Sequence, residues 1–269
     1  MIEALTLPFF QNALFVGLLA SLACGIVGTY VVVKRISFIS GSIAHTAFGG
    51  VGISYYLGLN PIFGAIVFGI AASSLIGTIH MKFKQREDTL IGAIWAVGMA
   101  IGILFIHLTP GYAVDLFSYL FGNILLTTRF DLAMVAGIDL ILIGLTWTFF
   151  RAFQAITFDE EYAKVLNVPV FFLYLLLLGL VSATIVILIR VVGIILVVSL
   201  LTLPAATAEF FVKDLRKMMV LASILGGIAT TSGIGLSYIW NLPSGPVIIF
   251  GSFLLYLFGF GYRQIVKKS

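Results

Sequence analysis

The sequence predicts an all-α membrane protein, a polytopic bundle of about eight or nine transmembrane helices with short helices at the membrane faces. Of its 269 residues, 61% are hydrophobic and 10% are charged, and the mean hydropathy is +1.18. A soluble domain carries about 25% charged residues, so this chain cannot cover a water-exposed surface. The apolar runs approach the roughly 20 residues that a helix needs to cross a bilayer. Runs such as residues 171–189 also lack the alternating pattern of a membrane β-strand.

Apolar segments follow one another along the whole chain, and only short polar stretches separate them. The longest polar stretch, residues 151–169, has room for no more than short helices, so we expect a single transmembrane domain over residues 1–269. The N-terminus lacks the basic region of a signal peptide, so we expect the first segment to be a retained span. The segments are residues 8–33, 40–59, 62–80, 89–108, 112–127, 131–150, 171–189, 191–212, 217–240 and 245–262.

The lysine and arginine residues predict the orientation, because they are more frequent in cytoplasmic loops. A self-consistent arrangement places the N-terminus outside and the C-terminus inside. His80 adjoins a basic loop and is expected at the cytoplasmic boundary, whereas His107 is expected near the end of a span. The residues assigned to the cytoplasm are Lys34, Arg35, Lys82, Lys84, Arg86, Lys213, Arg216, Lys217, Arg263, Lys267 and Lys268.

The middle of the chain allows two arrangements. If residues 112–127 are re-entrant, residues 159–164 are cytoplasmic and residues 191–212 span the membrane. If residues 112–127 span, residues 159–164 are external and residues 191–212 lie at the cytoplasmic face. The first arrangement places Arg151 and Lys164 inside, and the second places Arg129 and Arg190 inside. Each arrangement thus has two of these four basic residues in the cytoplasm, so charge alone does not distinguish them.

His45, in ISGSIAHTAFGG (residues 39–50), is the first candidate for function. Ionisable groups inside spans are costly and usually face a cavity or a partner. On a helix, Gly41, His45 and Gly49 share one face, which would leave the ring approachable. Imidazole suits zinc and other transition metals, so His45 is a candidate metal ligand. The alternative is a core histidine that forms a hydrogen bond to another helix.

Asp139 lies in the middle of an apolar run and needs a partner or water. It is a candidate second metal ligand through its carboxylate oxygens. Because no other ligand accompanies it in the local sequence, a structural role beside a hydroxyl group of another helix is the favoured reading.

The segment TLPAATAEFFVKDLRK (residues 202–217) predicts a short amphipathic helix that begins at a proline. Pro204 removes a backbone donor and is expected to break any helix that runs through it. Such a helix at the cytoplasmic surface could dock a soluble partner; the alternative is the ordinary end of a span. Its candidate contact residues are Pro204, Ala205, Ala206, Glu209 and Phe210.

Several catalytic motifs are absent from the sequence, which has no HExxH, GxSxG, GxxxxGK[ST] or CxxC. The chain is therefore not expected to be an enzyme or to hydrolyse ATP by a P-loop mechanism. Uphill transport would take its energy from an ion gradient or from another subunit. The single cysteine, Cys24, excludes a disulfide within the chain.

Five segments, in order along the chain, carry a resemblance to the membrane permeases of ABC-type zinc, manganese and iron importers. VVGIILVVSLLTLPAATAEFF (residues 191–211) and TSGIGLSYIWNLPSGPVII (231–249) resemble two of their characteristic segments. FDEEYAKVLNV (158–168), LFGNIL (120–125) and KRISFISGSIAHTAFGGVG (34–52) are similar to three others. The resemblance extends over essentially the whole chain.

This resemblance implies the membrane-spanning subunit of an ATP-driven importer of zinc, manganese or iron in the cell membrane. Its partners would be a second copy of the chain, ATP-binding cassette ATPase subunits and an extracytoplasmic metal-binding protein, with no nucleic acid. The chain itself would hold no cofactor: divalent metal would be cargo, and ATP would bind the partner subunit. His45 would be a transient ligand on the metal path.

The resemblance also favours the second arrangement, in which residues 112–127 span. Residues 204–214 would then be the coupling helix that docks on the ATPase. Residues 159–167 would be external, where Asp159, Glu160 and Glu161 could face a metal-loaded binding protein or form a solvated loop.

One position departs from the family pattern, which often has an acidic residue four positions before the histidine. Gly41 stands there, so His45 has no second ligand in its own turn. The rival function is a self-sufficient secondary transporter coupled to protons through His45 and Asp139. Such transporters often contain inverted repeats, and the sequence shows no convincing internal repeat.

Overall fold

The computed structural model describes residues 6–82, 87–110 and 120–266, and this part of the chain is almost entirely helical. The all-α bundle is therefore confirmed. A 3₁₀ helix, Ile124–Leu126, precedes the fifth helix. The α-helices are α1 Pro8–Val33, α2 Ser37–Tyr56, α3 Pro61–Lys82, α4 Glu87–Leu108, α5 Arg129–Phe158, α6 Glu160–Val165, α7 Val170–Val192, α8 Ile194–Phe211, α9 Leu215–Trp240 and α10 Ser244–Val266.

Eight of the described helices are long and apolar enough to cross a membrane, namely α1, α3, α4, α5, α7, α8, α9 and α10. The helix α2 is rich in glycine and serine and is not among them, but it has 20 residues and connects the inner end of α1 to the outer start of α3. It lies between α3 and α4 and also contacts α7, so its polar groups are covered by other helices. With α2, the described residues make nine crossings.

The topology follows from contacts at one end of the bundle. Lys34 follows α1, and its Nζ lies 2.5 Å from Oε1 of Glu160, the first residue of α6. His80, in the last turn of α3, is 3.7 Å from the same oxygen. Because Lys34 and His80 were assigned to the cytoplasmic face, α6 lies at that face too, and α5 runs inward.

This topology contradicts the expectation that residues 159–167 are external. Of the predicted span over residues 112–127, residues 112–119 lie outside the described residues. In the described part, Gly122 has a left-handed conformation, Ile124–Leu126 is the 3₁₀ helix and Thr128 is the N-cap of α5. The connection between α4 and α5 therefore begins and ends at the outer face. The Lys34–Glu160 contact supports the first arrangement, in which residues 159–164 are cytoplasmic and the segment of α8 spans.

The predicted helix start at Pro204 is also wrong, because α8 continues through Pro204 and ends at Phe211. An interior proline costs a helix about 3 kcal/mol. Ending the helix inside a membrane would leave several backbone groups unsatisfied, each at a cost of several kcal/mol. The helix therefore tolerates the proline, and the chain becomes extended only at Val212, where φ is −133° and ψ is 147°.

Small residues allow α2 and α4 to pack closely, because close helix contact in a membrane depends on them. A Cβ atom added at Gly49 would lie 2.7 Å from the carbonyl oxygen of Gly98 on α4. One added at Gly98 would lie 2.6 Å from Cα of Thr46. This contact determines the surroundings of His45.

Candidate functional site

His45 lies in the middle of α2 and is half-buried within the chain. Its Nδ1 is 2.8 Å from the carbonyl oxygen of Gly41, one turn earlier. A carbonyl oxygen only accepts hydrogen bonds, so Nδ1 carries the proton and Nε2 carries the lone pair. Nε2 is thus the ring atom able to bind a metal ion.

Trp95 of α4 covers one face of the imidazole. The two ring centroids are 4.3 Å apart and the rings are inclined by 26°, which is a stacked arrangement. The ring of Trp95 also occupies the space beside Gly41, where an added Cβ would lie 3.2 Å from its Cζ3 atom. The bare helix face expected at Gly41 and Gly49 is therefore occupied by α4, and an ion can reach the ring only away from this contact.

The hydroxyl groups near His45 are engaged in helix packing. Ser42 donates to the carbonyl oxygen of Ile91 at 3.0 Å. Thr46 donates to that of Ser42 at 2.8 Å and is within 3.3 Å of that of Ile94. Among the described residues, no group of three or more histidine, cysteine, aspartate or glutamate side chains could hold a metal ion. His45 is therefore not part of a three-ligand group in the described part of the chain.

Asp139, the other predicted ligand, lies on α5 and is 3% exposed. Neither of its carboxylate oxygens has a hydrogen-bond partner in the described part of the chain. The helix α5 packs mainly against α1 and α7, whereas α2 packs mainly against α3 and α4. The structure therefore does not bring Asp139 and His45 into one site.

The cytoplasmic end contains a cluster that sequence reasoning missed, and we call Lys34, His80, Glu160 and Tyr174 the inner cluster. Lys34 donates to Glu160 and, at 2.8 Å, to the carbonyl oxygen of Ile156. Its Nζ lies 5.0 Å from the centroid of the Tyr174 ring, and His80 is 4.9 Å from that ring. The nearby His80 imidazole and the Lys34 ammonium group lower the pKa of Glu160 to about 2, so its carboxylate is ionised at neutral pH.

The helix α6 presents an apolar surface at the same end. Its N-cap, Asp159, accepts a hydrogen bond from the backbone N–H of Tyr162 at 2.9 Å, which explains why a helix starts there. Tyr162, Val165 and Leu166 are 59%, 77% and 53% exposed. This combination of an anchored first residue and an exposed apolar side resembles a docking element.

The predicted coupling residues lie in the last two turns of α8. Pro204 and Ala205 are buried inside the chain, whereas Ala206, Glu209 and Phe210 are half-buried. The ring of Phe210 packs 5.3 Å from that of Tyr256 and 5.5 Å from the guanidinium carbon of Arg263. Much of this segment is therefore occupied by contacts to α10.

At the outer end, an ion pair joins the start of α5 to the end of α7. Asp131 and Thr128 form a capping box, in which the Asp131 carboxylate accepts a hydrogen bond from the backbone N–H of Thr128 at 3.0 Å. Oδ1 of Asp131 is also 2.8 Å from Nε of Arg190. Gly122 precedes α5, and Gly193 lies between α7 and α8; their φ angles are 64° and 81°. The two backbones are in close contact, since a Cβ added at either glycine would collide with the backbone at the other.

Comparison with known proteins gives a consistent result over nearly the whole chain. The model of the ABC 3 transport family matches residues 6–263. A "Probable metal transport system membrane protein" of Chlamydia pneumoniae is 43% identical over 97% of this chain and 89% of its own length. The manganese transport system membrane protein MntC of Listeria monocytogenes is 35% identical over 94% and 90% of the two lengths. Among solved structures, PsaBC from Streptococcus pneumoniae in complex with Fab has a TM-score of 0.87 at 33% identity, covering 96% of this chain and 94% of that one.

Proposed function

The chain belongs to the ABC 3 transport family, and from that premise we propose that it is the membrane-spanning subunit of an ATP-driven importer of divalent metal ions. The named metal and manganese transport relatives support this class of cargo. The observation in the structure that carries the proposal is His45, an imidazole inside a membrane helix whose Nε2 keeps its lone pair.

Two copies of the chain form the path in this proposal. The described residues place no group of three ligands around His45, so a metal ion would complete its coordination with water or with groups of the second copy. Weak binding suits transport, because an ion must leave the path as readily as it enters. Asp139 remains a proposed second ligand only if the transport cycle brings α5 towards α2.

His45, the proposed ligand on the metal path, favours zinc over manganese. Imidazole suits zinc, copper, iron and nickel, whereas manganese prefers carboxylate, carbonyl and water oxygens. Trp95 stands beside Gly41 in the space that a longer side chain would need. We therefore propose that zinc crosses this site more readily than manganese, with iron as an intermediate case.

Soluble ATPase subunits bind the cytoplasmic face in this proposal, and ATP binds to them alone. The helix α6 is the better docking element, because it exposes Tyr162, Val165 and Leu166. Ala206, Glu209 and Phe210 at the end of α8 form a secondary contact, since Pro204 and Ala205 are buried inside the chain. A metal-binding protein delivers the ion at the outer face, where Arg190 and Asp131 lie.

The experiment that tests this function compares two driving forces in proteoliposomes. The chain is reconstituted with its ATPase and metal-binding protein, and uptake of radioactive zinc is measured with ATP or with a proton gradient. We expect uptake with ATP and none with the gradient alone. Uptake driven by the gradient without the ATPase would instead support the proton-coupled secondary transporter.

A further inference from the structure

The inner cluster brings together residues of four helices, with the Glu160 carboxylate between Lys34 and His80. Oε1 of Glu160, at the start of α6, is 2.5 Å from Nζ of Lys34 at the end of α1 and 3.7 Å from Nε2 of His80 on α3. Tyr174 of α7 packs against both of these nitrogen-bearing groups. The Lys34 side chain is only 7% exposed, so this ion pair is shielded from water on the lysine side.

A buried ion pair is a poor way to gain stability, because the cost of removing two charges from water offsets their attraction. A buried ion pair instead provides specific geometry, because charged hydrogen bonds fix the distance and orientation of the groups that they join. The helix α6 has six residues, of which Ala163 is the buried one, so its apolar contacts to the bundle are few. The ion pair of Glu160 with Lys34 gives α6 a directional attachment to the end of α1.

The next residue provides a contrast within the same helix. Glu161 pairs with Lys164 on α6 itself at 2.9 Å, and its side chain is 69% exposed. Its charge is the same as that of Glu160, but this pair lies within α6 itself. Glu161 is thus a matched control for the effect of removing a carboxylate charge from α6.

The partner of Glu160 is linked to the helix that carries His45. Lys34, Arg35 and Ile36 are the only residues between α1 and α2, and Arg35 adopts a left-handed conformation with φ of 61°. A connection this short gives the start of α2 little freedom to move independently of Lys34. A displacement of α6 that pulls on Lys34 is therefore passed to α2.

We propose that Glu160 is a positioning residue that makes α6 move together with Lys34 and the start of α2, so that the ATPase motion reaches His45. This inference rests on the proposed function, in which α6 docks the ATPase. Loss of the attachment leaves ATP hydrolysis intact and uncouples it from metal movement. The quantity affected is the number of metal ions transported for each ATP hydrolysed.

The test measures metal uptake, ATP hydrolysis and thermal stability of the reconstituted complex for four variants. They are Glu160→Gln, Lys34→Met, the double variant with both changes, and Glu161→Gln as the control. We expect the ratio of metal to ATP to fall about 5-fold or more in the first three, the size of a typical coupling between sites, and to stay unchanged in the control.

The double variant separates positioning from stability. Each single change takes away the 2.5 Å partner of the remaining charge and is expected to lower the melting temperature, whereas the double change removes both charges and is expected to restore it. We expect the ratio of metal to ATP to stay low in the double variant although its stability recovers. A ratio that recovers with stability, or an unchanged ratio in Glu160→Gln, would overturn the inference while leaving the proposed function intact. Absence of ATP-driven uptake by the wild type would overturn both.

Discussion

The contact between Gly41 and Trp95 determines what can surround the imidazole of His45. A methyl group at position 41 would approach Cζ3 of Trp95 to 3.2 Å, so the indole ring would have to move. The ring is held by its stack on His45 and by Phe38, 5.4 Å away between ring centroids. A side chain at position 41 therefore competes with Trp95 for the same space.

Gly41→Ala should lower the free energy of unfolding by about 1–3 kcal/mol, the usual cost of overpacking a filled site. Thermal unfolding in detergent measures it, with Gly137→Ala as the control because no atom lies within 4 Å of a Cβ at that position.

In the background Trp95→Ala, the change Gly41→Asp should be tolerated and should shift uptake from zinc towards manganese. An unchanged preference between the two metals would count against a ligand site at His45.

The carboxylate of Glu160 gives the stability of the chain a defined dependence on pH. His80 and Lys34, the groups that face it, lower its pKa from 4.5 to about 2 in the folded chain. A carboxylate with a lowered pKa stabilises the fold fully above its unfolded pKa, and this contribution is lost as the pH falls towards the folded pKa. The contribution should therefore disappear between about pH 4.5 and pH 2.

Melting temperatures of the wild type and Glu160→Gln, measured from pH 7 to pH 3, test this expectation. The wild type should be the more stable at neutral pH, and the difference should begin to shrink only below about pH 4.5. A difference that is absent at neutral pH would show that the ion pair does not stabilise the fold.

At the residue scale, sequence reasoning found His45 because an ionisable side chain in an apolar run is conspicuous by itself. It missed Trp95, whose aromatic ring looks like any other apolar residue of a span. It also missed the pairing of Lys34 with Glu160, because the two residues are 126 positions apart and charge counting gave no preference for either side. Contacts between distant segments leave no local signal.

At the scale of elements, α6 and the end of α8 offer different surfaces to a partner. The helix α6 exposes apolar side chains and is anchored by its first residue. The end of α8 is a continuation of a membrane helix, with Phe210 packed on α10. The sequence predicted a separate helix there because an interior proline such as Pro204 usually ends a helix. That expectation takes no account of the cost of unsatisfied backbone groups in lipid.

Cysteine cross-linking to the ATPase measures which of these elements is in contact. We expect a strong cross-link from Val165→Cys and a weaker one from Phe210→Cys. Leu126→Cys is the control, because Leu126 is 75% exposed but lies at the outer end. Cross-linking from Phe210→Cys alone would favour the end of α8 as the main docking element.

At the scale of the whole molecule, the nine crossings made by the described residues place residues 159–165 in the cytoplasm and the start of α5 outside. A membrane-impermeant maleimide should label Leu126→Cys in intact cells and Val165→Cys only after the membrane is opened. The native Cys24 is buried at 1% exposure, so its background labelling should be low. Labelling of Val165→Cys in intact cells would restore the arrangement with external residues 159–164.

The fold class and most helix positions could be predicted from composition and segment length, because apolar runs must form helices in a bilayer. The topology of the middle of the chain could not be predicted, since the two arrangements divide the basic residues equally between the two membrane faces. The contacts of Glu160 with Lys34 and His80 supply the missing information, because they place three helix ends at one face.

In the proposed function, metal ions cross the membrane past His45, driven by a partner ATPase. The most direct measurement is ATP-driven uptake of radioactive zinc, at limiting zinc, by the complex containing the wild type, His45→Ala or His107→Ala. His107 is the control, because it is an exposed histidine at the end of α4. We expect His45→Ala to reduce uptake about 10-fold or more, since one lost ligand interaction of 1.4 kcal/mol already corresponds to a factor of 10, and His107→Ala to have no effect. Full uptake by His45→Ala at limiting zinc would contradict the account.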